Sequence, residues 1–193
     1  MTRARLEAFS DAVIAILMTI MVLNLKIPQG TTRLALRQAK VLPVFLTYVL
    51  SFVNLGIYWN NHHHMLSATE RINGKILWAN LHLLFWLSLF PFMTGWMGEN
   101  HFSSVPTALY GVVLLLAAIA YYILKTAIVS AQGPDSRLAT ALGNDFKGKI
   151  SPVLYLVAIP LAFVSRWISL GIYVFVALIW LVPDPRIEST IES

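Results

Sequence analysis

Long apolar runs, separated by short polar segments, are the feature of this sequence that most limits its fold. A helix that crosses a bilayer needs roughly 20 mostly apolar residues, and the runs here repeatedly reach that length. Of the 193 residues, 58% are hydrophobic and 12% are charged, whereas soluble domains average about 45–50% and about 25%. We therefore predict an all-α membrane protein, a single domain of residues 1–193, with six transmembrane helices near residues 9–27, 41–61, 76–97, 105–126, 150–165 and 167–182.

The division of the last apolar block rests on three residues. Residues 150–182 form a block that is too long for one span. This block is interrupted by Ser165, Arg166 and Trp167. This interruption predicts two short helices joined by a tight turn.

The positions of the basic residues predict the orientation, because cytoplasmic segments of membrane proteins carry an excess of Lys and Arg. With the N-terminus inside, nine basic residues are cytoplasmic and five lie outside, so we expect both termini to be cytoplasmic. The net charge is +5, but the basic residues stand singly at the ends of apolar runs, a pattern that does not indicate a nucleic-acid partner. The cytoplasmic set is Arg3, Arg5, Arg71, Lys75, Lys125, Arg137, Lys147, Lys149 and Arg186; the outer set is Lys26, Arg33, Arg37, Lys40 and Arg166.

Catalytic and metal-site signatures are missing from the sequence. It has no cysteine, which excludes disulfides, thiolate metal ligands and cysteine nucleophiles. It contains no H-E-x-x-H and no G-x-S-x-G motif, so we do not expect an enzyme. The consecutive histidines His62, His63 and His64 would point about 100° apart on a helix, without a nearby acidic residue. We therefore expect no metal site and no cofactor.

The first span carries polar residues that an apolar helix must accommodate. An ionisable residue inside a membrane is a functional-site hypothesis by default. A carboxylate beside a serine at a helix start is equally typical of an N-terminal cap, and both interpretations of Asp11 stay open. Helical spacing places one small or apolar set on a single stripe with a threonine: Ala12, Ile16, Thr19, Ile20, Leu23 and Ile27.

A second polar cluster lies where the second span is predicted to end, in the stretch YWNNHHHM. In the predicted topology it lies at the same membrane level as Ser10 and Asp11, close to Asn80 at the start of the third span. A buried carboxylate with imidazole and amide partners forms a satisfied hydrogen-bond network. We therefore predict that Asp11 anchors the first helix, with Ser10, His62 or His63, and Asn80 as candidate partners.

Three motifs in order resemble one known family. Arg5-x-x-x-Phe9-Ser10-Asp11, followed by AVIAI, is similar to the first-helix signature of the lysosomal and endosomal transmembrane potassium channel family. The stretches YWNNHHHM and LWANLHLLFWLSLFPFMT resemble the second and third helices of that family in order and spacing. The similarity is to prokaryotic members, which have six helices per chain, and it is specific in the first half of the chain only.

The resemblance implies a cation channel in the plasma membrane of a prokaryote. It implies that four chains assemble as a homotetramer and that the first helix lines a central pore with no re-entrant filter; T-V-G-Y-G is indeed absent here. The family's bulky constriction residue matches Ile16, its threonine layer matches Thr19, and further aliphatic layers match Ile20 and Leu23. Arg5, Phe9, Ser10 and Asp11 match its structural motif.

Two functions of different kinds follow from these observations. The leading prediction is a monovalent cation channel that prefers potassium, in which a ring of Ile16 side chains blocks hydrated ions by dewetting. The alternative is a proton-conducting or proton-coupled transporter, with Asp11 and the histidines as a relay.

Overall fold

A computed structural model describes residues 2–133 and 145–181, and these residues are helical apart from short connections. Arg137, Arg186 and the last residue of the sixth predicted span lie outside the described residues. The helices are α1 (Arg3–Ile20, continued by a 3₁₀ turn, Met21–Asn24), α2 (Arg33–Gln38), α3 (Val41–Ser67), α4 (Gly74–Ser88), α5 (Phe90–Glu99), α6 (Ser104–Gln132), α7 (Phe146–Val164) and α8 (Arg166–Leu181).

Five segments in the described part of the chain are long and apolar enough to cross a membrane: Arg3–Asn24, Val41–Ser67, Gly74–Glu99, Ser104–Gln132 and Phe146–Val164. The all-helical prediction is therefore confirmed with five candidate spans. The sixth predicted span corresponds to α8, a shorter apolar helix of 16 residues. At 1.5 Å per residue the described part of α8 is about 24 Å long, compared with the roughly 30 Å hydrocarbon core of a bilayer.

α1 and α3 both extend beyond their predicted ends, and their polar turns pack against each other there. α1 begins at Arg3 rather than near residue 9, and α3 continues to Ser67 rather than ending near residue 61. Arg3 Nη1 donates to the backbone oxygen of Ser67 at 2.8 Å. The three consecutive histidines consequently lie on the last turns of α3.

The third predicted span is interrupted once. α4 ends at Ser88 and α5 begins at Phe90, with Leu89 between them. Pro91 has no backbone N–H to donate to the carbonyl of Leu87, so the regular helix cannot continue unbroken. The two pieces still form one apolar segment.

Small residues allow close packing inside the bundle. A Cβ at Gly98 of α5 would lie 2.6 Å from the Cα of Val44, so the backbones of α3 and α5 approach directly there. Gly111 of α6 similarly leaves room for the hydroxyl of Tyr173 on α8. Such contacts are typical of helices that associate in membranes.

The junction between α7 and α8 lies at Ser165, where the sequence predicts a tight turn. α7 ends at Val164 and α8 begins at Arg166. Ser169 Oγ donates to the carbonyl of Ala158 at 2.7 Å and holds the two helices together.

Candidate functional site

α1 has one face packed against α3, α4 and α5 and one face that the described part of the chain leaves exposed. The packed face contains Leu6, Ser10, Ile14, Leu17 and Met21. On the uncovered face, Ile16 is 59% exposed, Ile20 45% and Leu23 76%. Thr19 is exposed on the same face. The structure thus brings the four candidate pore residues together on one surface of the helix.

A buried chain of hydrogen bonds attaches the packed face of α1 to α3 and α4. His62 Nε2 lies 2.7 Å from Asn80 Oδ1, and Asn80 Nδ2 donates to Ser10 Oγ at 2.9 Å. Ser10 Oγ donates in turn to the carbonyl of Leu6 at 2.9 Å. All three polar side chains are fully buried, so this network carries no exposed end. The network positions α1 at one end of the bundle.

The hydrogen bonds of this buried network all run in one direction, from His62 through Asn80 and Ser10 to the carbonyl of Leu6. Asn80 gives its Nδ2 hydrogen to Ser10, so its Oδ1 accepts from His62 Nε2–H. His62 Nδ1 is buried and has no hydrogen-bond partner among the described residues. A neutral imidazole suits this position, because protonation would place a second, unpartnered donor there.

Asp11 lies outside this buried chain, contrary to the predicted pairing with Ser10, Asn80 and a histidine. Its Oδ1 accepts from the indole Nε1 of Trp59 at 3.0 Å. The reason is geometric, because successive helical residues point about 100° apart and Ser10 already occupies the packed face. Trp59 also stacks on the ring of His63, with the centroids 6.1 Å apart.

His63 belongs to a separate cluster around Glu7. His63 Nδ1 lies 3.2 Å from Glu7 Oε1, and Ser67 Oγ donates to the same oxygen at 3.2 Å. Arg3 Nε lies 4.0 Å from Glu7 Oε2. The predicted network therefore divides into a buried part and a partly exposed part. Sequence reasoning missed both Glu7 and Trp59, and the only available signal was their location at the same predicted membrane level.

Arg5 and Phe9 lie on the uncovered side of α1. Both are exposed. Phe9 follows Arg5 by four residues and precedes Ile16 by seven, so all three lie on the same side of the helix. Within residues 2–133 and 145–181, Arg5 makes no hydrogen bond or ion pair. The single subunit does not bring these two residues into the Ser10 network.

The Thr19 hydroxyl is bonded to its own helix. Its Oγ1 donates to the carbonyls of Ala15 and Ile16, each at 3.0 Å. Because the hydrogen is used in this way, the oxygen lone pairs remain available as acceptors on the exposed face. An acceptor without a competing donor can contact a cation.

The opposite end of the α1 segment is attached to α5. Asn24 Nδ2 donates to the carbonyl of Pro91 at 2.9 Å, and Lys26 Nζ forms an ion pair with Glu99 Oε1 at 2.7 Å. Gly95 makes room for Asn24, since a Cβ there would lie 2.8 Å from Asn24 Oδ1. None of these contacts was predicted from the sequence. α1 is thus held at both ends, while Ile16, Ile20 and Leu23 on its other face stay exposed.

Among the described residues, no group of three or more His, Asp or Glu side chains is arranged to hold a metal ion. The histidine run itself diverges around the helix: His62 contacts Asn80, whereas His63 contacts Glu7.

Comparisons with known proteins agree with the resemblance in the sequence. A family model described as endosomal/lysosomal potassium channel TMEM175 matches residues 5–91. A potassium channel from Chryseobacterium sp. (strain P1-3) is 50% identical over 193 residues, which is 100% of both chains. An endosomal/lysosomal proton channel TMEM175 from Danio rerio is 25% identical over 132 residues, covering 67% of this chain and 24% of its own.

A solved structure agrees over nearly the whole chain. The crystal structure of a lysosomal potassium-selective channel TMEM175 homologue from Chamaesiphon minutus matches with a TM-score of 0.76 and 27% identity. The match covers 93% of this chain and 96% of that one. The predicted family is thereby confirmed, as is the prediction of an ion channel rather than an enzyme. This chain belongs to the TMEM175 family of ion channels.

Proposed function

We propose that this protein is a potassium-preferring monovalent cation channel in which the uncovered face of α1 lines a central pore. The observation that carries the proposal is that Ile16, Thr19, Ile20 and Leu23 share an exposed face on a helix held by its other face. The names of the relatives, potassium channel and potassium-selective channel, support the choice of ion.

The pore lies between subunits in this proposal, and the assembly is a homotetramer. The uncovered stripe of α1 includes Arg5 and Thr19, and a lipid-facing stripe is a costly place for a charged side chain. Copies of the same surface meet around an axis in a closed symmetric ring. Four copies of α1 around one axis would cover the stripe and surround a narrow channel.

The constriction in this channel is hydrophobic. Four Ile16 side chains that converge on the axis block hydrated ions by dewetting, since no polar group replaces the lost water. One turn further along α1, the acceptor oxygens of Thr19 replace part of the hydration shell. Ile20 and Leu23 continue the narrow apolar path. This arrangement needs no T-V-G-Y-G filter.

The protein is placed in the plasma membrane of a prokaryotic cell, with both termini in the cytoplasm. This orientation follows from the excess of Lys and Arg that the N-in topology gives to cytoplasmic segments. In that orientation the Ser10–Asn80–His62 network lies at the cytoplasmic end of α1.

Proton conduction is the second candidate, and one observation favours it. Glu7, His63 and Asp11 form a partly exposed cluster of titratable groups around Trp59 at one end of α1, and one relative is named a proton channel. Against it, the buried chain leads from His62 through the amide of Asn80 to a backbone carbonyl, and neither the amide nor the carbonyl releases protons at physiological pH.

The test is ion flux in liposomes that contain the purified protein. We expect potassium flux in the wild type, and a higher resting flux for Ile16→Asn because a polar ring lowers the dewetting barrier. Val157→Asn is the control, since Val157 is an exposed apolar residue on α7 rather than α1. Equal flux for Ile16→Asn and the wild type would contradict the assignment of the gate.

Reversal potentials separate the two candidates. A potassium channel follows the potassium gradient and ignores a pH gradient. A reversal potential that follows the pH gradient would favour proton conduction and overturn the leading proposal.

A further inference from the structure

A cavity with polar residues among its walls lies inside each subunit, away from the uncovered face of α1. It is a cavity of about 40 Å³ between α3, α6, α7 and α8. No residue of α1 lines it. Its walls include Tyr58 and Asn61 of α3, Ala118 of α6, and Tyr155 of α7.

A nearly buried ion pair forms part of the cavity wall. Lys125 Nζ lies 2.6 Å from Asp145 Oδ2, and the two side chains are only 11% and 15% exposed. Asp145 Oδ1 also accepts from the backbone N–H of Gly148 at 2.7 Å, which caps the start of α7. Because the two charges cancel, the cavity favours a neutral occupant.

Several polar groups face this cavity without a hydrogen-bond partner. The hydroxyls of Tyr155, which is 4% exposed, and Tyr58 form no hydrogen bond with the described residues. Asn61 gives its amide hydrogen to the carbonyl of Ile57, which leaves its Oδ1 free as an acceptor. Tyr58 and Asn61 are half-buried, whereas Tyr155 is buried, and a buried hydroxyl almost always has a partner, either protein or ordered water.

The backbone of α7 adds one more acceptor. Pro152 lies inside α7, and a proline has no N–H to donate to the carbonyl four residues earlier. That carbonyl belongs to Gly148, which also lines the cavity. In membrane helices, ordered water is one of the partners that replace such a missing bond.

We propose that each subunit holds a buried cluster of water molecules in this cavity, separate from the central pore. The cluster hydrates the Lys125–Asp145 pair and provides hydrogen bonds to Tyr58, Tyr155 and the Gly148 carbonyl. A cavity needs at least about 10–15 Å³ to hold one water molecule, so its volume of about 40 Å³ has room for about three. The Lys125–Asp145 pair and the Tyr155 hydroxyl supply the polar partners that such water needs, and the proposal does not depend on the location of the pore.

Hydroxyl-radical footprinting by X-ray radiolysis tests this directly, because radicals formed from bound water modify the side chains beside it. The intact protein is irradiated in detergent and in liposomes, and the modification of individual tyrosines is measured by mass spectrometry. Tyr155 is compared with Tyr173, which is equally buried but donates its hydroxyl to the carbonyl of Thr107 at 3.2 Å. Tyr173 does not line the cavity.

We expect Tyr155 to be modified several-fold faster than Tyr173, and Tyr58 to follow Tyr155. Equal, slow modification of Tyr155 and Tyr173 would show a dry cavity and overturn the proposal.

A cavity-filling variant provides the second test. Ala118→Leu adds a side chain at the cavity wall and should reduce the modification of Tyr155 to the level of Tyr173. Ile119→Leu, a volume-conserving change at the adjacent exposed position, should leave the modification unchanged. If Ala118→Leu has a normal size-exclusion profile and Tyr155 is still modified rapidly, the radicals do not come from cavity water and the proposal is wrong. If that variant does not fold, the comparison of Tyr155 with Tyr173 in the wild type still decides.

Discussion

At the scale of single residues, Ser10 and Asp11 are neighbours in the sequence but have different surroundings. Ser10 is buried and accepts from Asn80, whereas Asp11 is partly exposed and accepts from Trp59. Removing a partner from a buried network leaves polar atoms that have neither water nor protein to bond. The buried network is therefore more sensitive to substitution than the carboxylate.

Asn80→Ala tests this difference, because it removes the partner of both Ser10 and His62. Each buried group left unpaired costs about 1–3 kcal/mol, so we expect a lower unfolding temperature and a poor size-exclusion profile. Asn100→Ala is the matched control, since Asn100 is exposed and its side chain, among the described residues, bonds to the carbonyl of Trp96 alone. Asp11→Asn should lower the unfolding temperature less than Asn80→Ala does. A larger decrease in unfolding temperature for Asp11→Asn would mean that the carboxylate is the main anchor of α1.

Thr19→Val tests the acceptor layer at nearly constant volume. We expect the potassium-to-sodium permeability ratio to fall while assembly is unaffected, because the valine has no oxygen to replace hydration water. Bi-ionic reversal potentials measure the ratio. Thr126→Val is the control, since Thr126 on α6 is also exposed and its hydroxyl donates to the carbonyl of Tyr122, four residues earlier. An unchanged ratio with persistent flux would identify Thr19 as a packing residue.

At the scale of helices, the close approach of α3 and α5 depends on a missing side chain. Gly98→Ala places a Cβ 2.6 Å from the Cα of Val44, and overpacking of this kind typically costs about 1–3 kcal/mol. We expect a lower unfolding temperature in detergent. Gly171→Ala on α8 is the matched control, because a Cβ there meets nothing within 4 Å. It should be neutral or stabilising by about 0.5–1 kcal/mol. Equal unfolding temperatures for Gly98→Ala and Gly171→Ala would show that α3 and α5 are free to separate.

At the scale of the whole molecule, the uncovered face of α1 provides a test of assembly. The sequence has no cysteine, so a single introduced cysteine forms disulfides only between subunits. Under mild oxidation, Ile16→Cys should produce cross-linked dimers efficiently, because a constriction brings the side chains within reach of a disulfide, about 3.5–4.5 Å between Cβ atoms.

Leu156→Cys on α7 is the control for this experiment, since Leu156 is also exposed and apolar. It should remain monomeric on a denaturing gel under the same conditions. Efficient cross-linking of Leu156→Cys without cross-linking of Ile16→Cys would place α7, rather than α1, at the subunit contact.

The order of the helices follows from the sequence by itself. The length of an apolar run determines whether a helix can cross a bilayer, and this is a local property of the chain. The break at Ser165 and the stripe of Ile16, Thr19, Ile20 and Leu23 follow from local composition and helical spacing in the same way. Three motifs in order, the first of them around Ser10 and Asp11, were sufficient to predict the family, because each is a local pattern.

Tertiary structure alone decided which polar residues meet. α1 is apolar on all sides, so hydrophobicity cannot say which face is packed. The partners of α1 come from distant parts of the chain: Asn80 bonds to Ser10, Trp59 to Asp11 and Pro91 to Asn24. A rotation of about 100° separates Ser10 from Asp11 on the helix. The packing of α1 against α3 and α4 determines which of the two is buried, and no local pattern in the sequence contains that information.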